Sequence, residues 1–413
     1  MWLLNTTTLR LHWFSIEPSE PYAILSHLWG PDEVLFHELQ DELPGFKDKT
    51  GWRKITGFCE KAHENGFDYG WVDTCCIDKR NSADLSEAIN SMFLYYRNSS
   101  ACFIYLEDVQ WASECGEDTC PSKGQRDAQL EAMAKSRWFS RGWTLQELIA
   151  PRRRLFLTAG WQTITYGFDL LQTLSGVTRI PRAILKHLDI VSLYSVAERM
   201  SWAARRKTTR PEDMVYSLMG LFDVSMPILY GEGVRKAFRR LQLEIMQTSF
   251  DMTIFAWSAG YQESGLLAHS PADFADIPPL ELSILGDVGM TLSPFWMMNV
   301  GLSIRLMVIT QDQIATLKQI APPGVDEIVV AIHCTSRGEK HVLLIYLKTY
   351  TFADFIVNGK SCKAYRRVRC AEWMLIPSDN FSKCPYMDLL VLEDEQSELL
   401  TRNHFRRMLS RHR

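Results

Sequence analysis

No stretch of this sequence is apolar for long enough to cross a bilayer. The most apolar run, Phe295 to Thr310, is interrupted by Asn299, Ser303 and Arg305, whereas a spanning helix needs roughly 20 apolar residues. The opening MWLLNTTTLRLHWF has neither a continuous apolar core nor a basic flank, so no secretory leader is expected. Walker-type loops, GxGxxG, HExxH and internal repeats are absent. Charge of one sign is lacking too. With 45 Lys and Arg against 49 Asp and Glu, the net charge is -4, which gives no electrostatic footprint for nucleic acid. The basic ending TRNHFRRMLSRHR reads as a solvated terminal helix. The ten cysteines fall at irregular spacings. Cys115 and Cys120 have no second Cys/His pair at finger-like distance, so no metal site is expected and both read as free thiols in a loop. A cytoplasmic protein without disulfides is the expectation.

What remains is an ordinary globular composition, 46% hydrophobic and 23% charged over 413 residues, long enough for two or three domains. YAILS (22–26), Phe67–Asp73, ACFIYL (101–106) and RLFLT (154–158) are short apolar runs bounded by turns, which predicts buried strands. Between them, Gly51–Asn65 carries Trp52, Ile55, Phe58, Cys59 and Ala62 at helical spacing. Asp84–Arg97 does the same with Leu85, Ala88, Ile89, Met92, Phe93 and Tyr96, and Asp84 with Glu87 resembles a capping box. Glu107–Lys135 reads as a polar loop. Strands alternating with amphipathic helices predict an α/β domain over 1–165, a parallel sheet with helices on both faces. A helical region over 166–258 is expected next. A period of two then predicts an antiparallel β-rich domain over 259–413, with Ile328–His333 and Val342–Leu347 as a hairpin around Ser-Arg-Gly.

In such sheets the working residues gather beyond the carboxyl ends of the strands. Here those positions hold Ser26, His27, Asp73, Thr74, Cys75, Glu107 and Asp108. Trp29 follows close behind. SRWFSRGWTLQELIAP (136–151) reads as a short helix ended by Pro151, with Trp143 and Glu147 four apart on one face. No basic residue stands three or four positions from Glu147. As a candidate catalytic acid it competes with an exposed helix residue or a partner of Arg137, Arg141 or Arg152. Ser26, His27, Trp29, Asp73 and Trp143 are candidate substrate contacts; turn-stabilising or packing roles are their alternatives. Cys75 or Cys76 beside His27 would suit a thiol hydrolase only within hydrogen-bonding reach. Arg152–Arg154 is either a phosphate contact or a solvated strand entrance.

YAILSHLWG (22–30), GWVDTCCIDK (70–79), LSEAINSMFLYYRNSSACFIYLEDV (85–109) and SRWFSRGWTLQELIAP together resemble the fungal heterokaryon-incompatibility (HET) domain. PEDMVYSLMGLFDVSMPILYGEG (211–233) and GLLAHSPADF (265–274) are similar to segments that follow that domain in fungal proteins. The resemblance implies nonself recognition with cell death as its output. It also implies kinship with TIR domains, hence a TIR/flavodoxin-like sheet. Some TIR domains cleave NAD with the Glu of a WxxxE signature, and Trp143–Glu147 has that spacing. NAD would be a substrate and no cofactor is implied. The partners implied are a second copy of the domain and an allelic or sensor protein. The competing class is a non-enzymatic interaction module in death signalling.

Overall fold

The structure, a computed structural model, describes residues 1–15, 18, 20–110, 123–164, 167–281, 294–317, 320–336, 339–357, 360–381, 384–394 and 397. Cys115, Cys120 and the basic ending lie outside them. The chain divides into two compact units, Met1–Val191 with Arg206–Gly231, and Ser192–Arg205 with Glu232–Arg413. The expected helical region, 166–258, is shared between them.

In the first unit the elements are β1 (Trp2–Asn5), β2 (Leu11–Trp13), β3 (Tyr22–Ser26), α1 (Phe36–Gln40), α2 (Thr50–Glu64), β4 (Tyr69–Trp71), α3 (Ser82–Asn98), β5 (Ala101–Tyr105), α4 (Lys123–Ala134), α5 (Thr144–Ile149), β6 (Arg154–Leu157) and β7 (Thr163–Ile164). The sheet order is β2-β1-β4-β3-β5-β6-β7. Its central four strands, β4-β3-β5-β6, are mutually parallel, and in chain order they stand second, first, third, fourth. All five residues of β3 are buried, as expected for a strand covered on both faces. Neighbours on β4 show the two coverings. Gly70 faces α2, where an added Cβ would meet the Phe58 ring at 2.6 Å; Trp71 packs on Tyr95 and Tyr96 of α3.

Two expectations need correction, and one hairpin is new. The cap of α3 is Asn81, whose side chain accepts from the Ala83 and Asp84 amides; Asp84 falls in the first turn, so it forms no capping box with Glu87. Part of the expected Glu107–Lys135 loop is the helix α4. The hairpin β1–β2, which extends the sheet antiparallel to β4, has no counterpart in the sequence reading.

In the second unit, the helix Val234–Thr248 buries Ala237, Phe238, Leu241 and Ile245 on one stripe. The strands Glu327–Ser336 and Glu339–Val357 form the expected hairpin, with Ser336 opposite Glu339. The β-rich region then closes on itself. Gly301–Ile309 pairs with Glu327–Ser336, then come Glu339–Val357, Lys360–Val368 and Tyr386–Val391, and the last pairs back on the first. All contacts in this five-stranded barrel are antiparallel except the one between Lys360–Val368 and Tyr386–Val391. Closure leaves none of the five with an unpaired edge.

The helix Met219–Phe222 of the first unit lies close against α3, where a Cβ on Gly220 would stand 2.1 Å from the Phe93 Cβ. Shortening Phe93 cannot relieve that contact, because every residue but glycine carries a Cβ. Gly220→Ala is therefore expected to destabilise the protein by about 2 kcal/mol, read from its urea unfolding midpoint, and Phe93→Ala in the same chain should not restore it.

Candidate functional site

Ser26 ends β3 beside β5, where the chain connections diverge. From β3 the chain crosses to β4 on one side; from β5 it crosses to β6 on the other. In parallel sheets, ligand crevices commonly lie at the carboxyl edge beside such a switch point.

Glu147 reaches this edge from α5. The helix is only six residues long, and all six are buried. The Ser26 hydroxyl, fully buried, donates to Glu147 Oε2 at 2.5 Å and accepts from the indole N–H of Trp138 at 2.8 Å. Glu147 is 9% exposed, and among the described residues it forms no ion pair. Arg137 pairs instead with Glu107 and Asp108, and Arg141 donates to Thr209. The two plain alternatives, an exposed helix residue and a partner of a nearby arginine, therefore do not describe it. Burial pushes its carboxyl up to about 8; the Ser26 hydrogen bond and the Arg206 and Arg141 charges oppose this, and the Asp73 charge adds to it. At neutral pH Glu147 holds its proton.

Asp73 lies two residues past β4 in the opposite situation. Burial raises its carboxyl, but the hydrogen bond from His27, the Lys79 charge and the Trp29 N–H together hold it below the ordinary aspartate range. His27 Nε2 stands 3.0 Å from Asp73 Oδ1, and Trp29 Nε1 donates to Oδ2 at 2.7 Å. On the other ring nitrogen, Lys54 Nζ approaches His27 Nδ1 at 3.0 Å while also donating to Glu33 and to the Leu28 carbonyl. An ammonium can only donate, so Nδ1 is the acceptor and Nε2 carries the proton given to Asp73. Trp29 is half exposed, and the Lys79 ammonium lies 3.7 Å from the centre of its ring.

The sequence-predicted residues thus form two joined groups, Ser26 with Glu147, and His27 and Trp29 with Asp73. Trp143 belongs to neither. It precedes α5 as its cap residue, and its indole acts on the Asp213 carboxyl, opposing the upward push of burial there. The tryptophan that touches the acid cluster is Trp138, from the 3-10 turn Arg137–Ser140. That turn is set by Asp108, which accepts from the Ser136 hydroxyl and the Arg137 amide. Lys54 and Glu33 also escaped the sequence reading. Cys75 and Cys76 are buried, and neither hydrogen-bonds His27. The Cys75 thiol is pushed up by its hydrogen bond with Cys76 and by burial, opposite to what a thiolate nucleophile needs. Arg154 begins β6, at the amino edge of the parallel strands and away from Ser26 and Glu147, and donates to the Leu148 and Leu185 carbonyls. Among the described residues no group of three or more His, Cys, Asp or Glu is placed to hold a metal, and no helix is long and apolar enough to cross a membrane.

Residues 22–147 match the family described as heterokaryon incompatibility protein (HET). Residues 236–281 match a domain of unknown function (DUF8212). The chain is similar to the vegetative incompatibility protein HET-E-1 of Podospora anserina, at 45% identity over 232 residues, 54% of this chain and 16% of that relative. The chain therefore spans only a small part of the curated relative it matches. No solved structure matches it.

Between pH 4.5, the ordinary glutamate value, and about 8, the folded chain keeps a proton on Glu147 that the unfolded chain releases. The corresponding stability is complete below pH 4.5 and is lost as pH rises through 8. Comparing urea unfolding at pH 6 and pH 9, Glu147→Gln is expected to lose less stability than the wild type, by at least about 1 kcal/mol. Parallel losses in the two proteins would show that Glu147 is already ionised at pH 6.

Proposed function

We propose that this chain is a cytoplasmic heterokaryon-incompatibility protein. Its N-terminal α/β unit, TIR-like, cleaves the nicotinamide–ribose bond of NAD, and cell death follows nonself recognition. The family match over 22–147 and the likeness to a vegetative incompatibility protein support the first part. The second-first-third-fourth strand order supports a flavodoxin-like sheet. The observation that carries the enzymatic reading is the pair of carboxyl groups at the switch point, one held protonated and the other held ionised. Environments that push two acids apart are a mark of acid–base sites. Two buried polar groups next to them in sequence, Thr74 Oγ1 and Gln146 Nε2, have no protein partner.

When the C1′–N1 bond breaks, its electron pair passes to the ring nitrogen. Nicotinamide leaves neutral, so no proton donor is required. The positive charge is left on the ribose, as in glycoside hydrolysis. Water then adds to C1′ and gives up a proton. An ionised Glu147 would offset the ribose charge and accept that proton, with Ser26 orienting the carboxylate. Trp29, half exposed beside Asp73, offers an aromatic face to a base. No resident cofactor enters this scheme.

A second reading has its own observation. A carboxyl that is 9% exposed and hydrogen-bonded to Ser26 also suits a packing role inside a module that works by self-association or by binding an allelic or sensor protein.

Purified full-length protein is expected to release nicotinamide from NAD, and Glu147→Gln to release none. Because the carboxylate form is the working one, kcat/KM should rise with pH through a single ionisation near 8. An inert wild type, tested also in any self-assembled form, would leave the interaction module standing. So would Glu147→Gln protein that stays fully toxic in fungal cells.

A further inference from the structure

We infer that Arg206 is a positioning residue for Glu147, and that the strap it begins, residues 206–209, completes the site from outside the segment that matches the HET family. The inference rests on the reading of Glu147 as the working acid.

Arg206 is 5% exposed. Its Nη1 donates to the Arg141 carbonyl and to Thr144 Oγ1, each at 2.9 Å. Thr144 is the first residue of α5, and its hydroxyl lies 2.7 Å from the Trp138 carbonyl. Trp138 in turn holds Ser26, and Ser26 holds Glu147. One guanidinium therefore anchors both the start of the helix that bears Glu147 and the turn that bears Trp138. The strap's backbone adds two bonds at the same place, Gly142 N–H to the Lys207 carbonyl at 2.9 Å and Lys207 N–H to the Ser140 carbonyl at 2.7 Å. Gly142 makes this pairing possible, since a Cβ there would stand 2.4 Å from Thr208 Cγ2.

Charge gives Arg206 a second task. The groups whose charges bear on Glu147 are Asp73, Arg206 and Arg141, with the Tyr96 phenol and the Cys102 thiol close enough to feel its own. Ser26 supplies a neutral hydrogen bond. Of the two cations, Arg141 turns to the strap's Thr209, whereas Arg206 is fixed in the interior, its guanidinium lowered by burial to about 10 against the pull of Glu147. Arg206 is the cation that would share the interior with an ionised Glu147.

A staple that only stiffened the fold would leave the ionisation of Glu147 alone, and that difference gives the test. In full-length protein, the carboxyl carbons of labelled glutamates are titrated by NMR, with the Glu147 signal assigned by its loss in Glu147→Gln. Arg206→Met is expected to raise the Glu147 midpoint by about one unit, and Arg206→Lys to return it toward the wild-type value. A folded Arg206→Met protein with an unmoved midpoint would overturn the inference. If Arg206→Met does not fold, Thr144→Val keeps the cation and removes the link. The Trp138 indole N–H should then exchange with solvent about tenfold faster, and unchanged exchange would overturn the inference in that form. Neither readout uses NAD, so absence of nicotinamide release would sink the catalytic reading without deciding this one.

Discussion

Much of the first unit is arranged around the burial of one carboxylic acid beneath a serine and a tryptophan. An unpaired carboxylate in an interior costs several kcal/mol, and the usual escape is to keep the proton. Glu147 does this, and neighbouring features fit the same solution. Ser26 sits on the most completely covered strand, so its hydroxyl has little freedom except toward Trp138 and Glu147. Asp108, just past β5, fixes the turn that brings Trp138 over. Arg206 lies close enough to influence the acid without forming an ion pair. Asp73 meets the opposite conditions, with donors on both oxygens and a lysine nearby, and stays ionised. Two acids of similar intrinsic strength are thus separated by their surroundings alone.

The parallel core was legible because each strand is a short apolar run and each main helix has a clear stripe; Ile55, Phe58, Cys59 and Ala62 on α2 are all buried. The rule that sites lie at the carboxyl ends of such strands then pointed to Ser26, His27, Asp73, Thr74, Cys75, Glu107 and Asp108, and Glu147 entered through the helix that follows the third of them. It could not identify the right tryptophan. Trp143 has helical dihedrals and its carbonyl accepts from the Glu147 amide, so the spacing of four holds, but spacing along one helix says nothing of which tryptophan meets the Ser26–Glu147 pair. Trp138 comes from the preceding turn, whose direction is set by a contact with Asp108 far away in sequence. Lys54 was hidden for another reason. A lysine on an amphipathic helix reads as solvated, and only the Glu33 and His27 positions reveal it as nearly buried. Closure of the C-terminal barrel was equally illegible, because period-two alternation specifies which face is buried and says nothing of which strand pairs with which.

Arg206 shows a further limit of local reading. The family match stops at Glu147, yet the backbone that pairs with the approach to α5 lies at Lys207, after the chain has contributed Ser192–Arg205 to the other unit. Sequence similarity follows the chain, whereas the electrostatics of a buried acid follow space. A cation distant in sequence can therefore matter more to Glu147 than Arg152, only five positions away and exposed.

The histidine narrows the chemistry further. A catalytic imidazole needs one nitrogen free for substrate or nucleophile. Both nitrogens of His27 are committed here, Nδ1 as acceptor from Lys54 and Nε2 as donor to Asp73. Lys54 cannot reverse its role while it remains an ammonium held by Glu33. The imidazole is thereby fixed as a spacer that carries positive potential toward Asp73 without supplying a base. With the histidine occupied and Cys75 held as a thiol, the proton transfer proposed for this site is left to the carboxyl groups. Asp73 already carries two N–H bonds, so the group with an exchangeable proton and a single hydroxyl partner is Glu147.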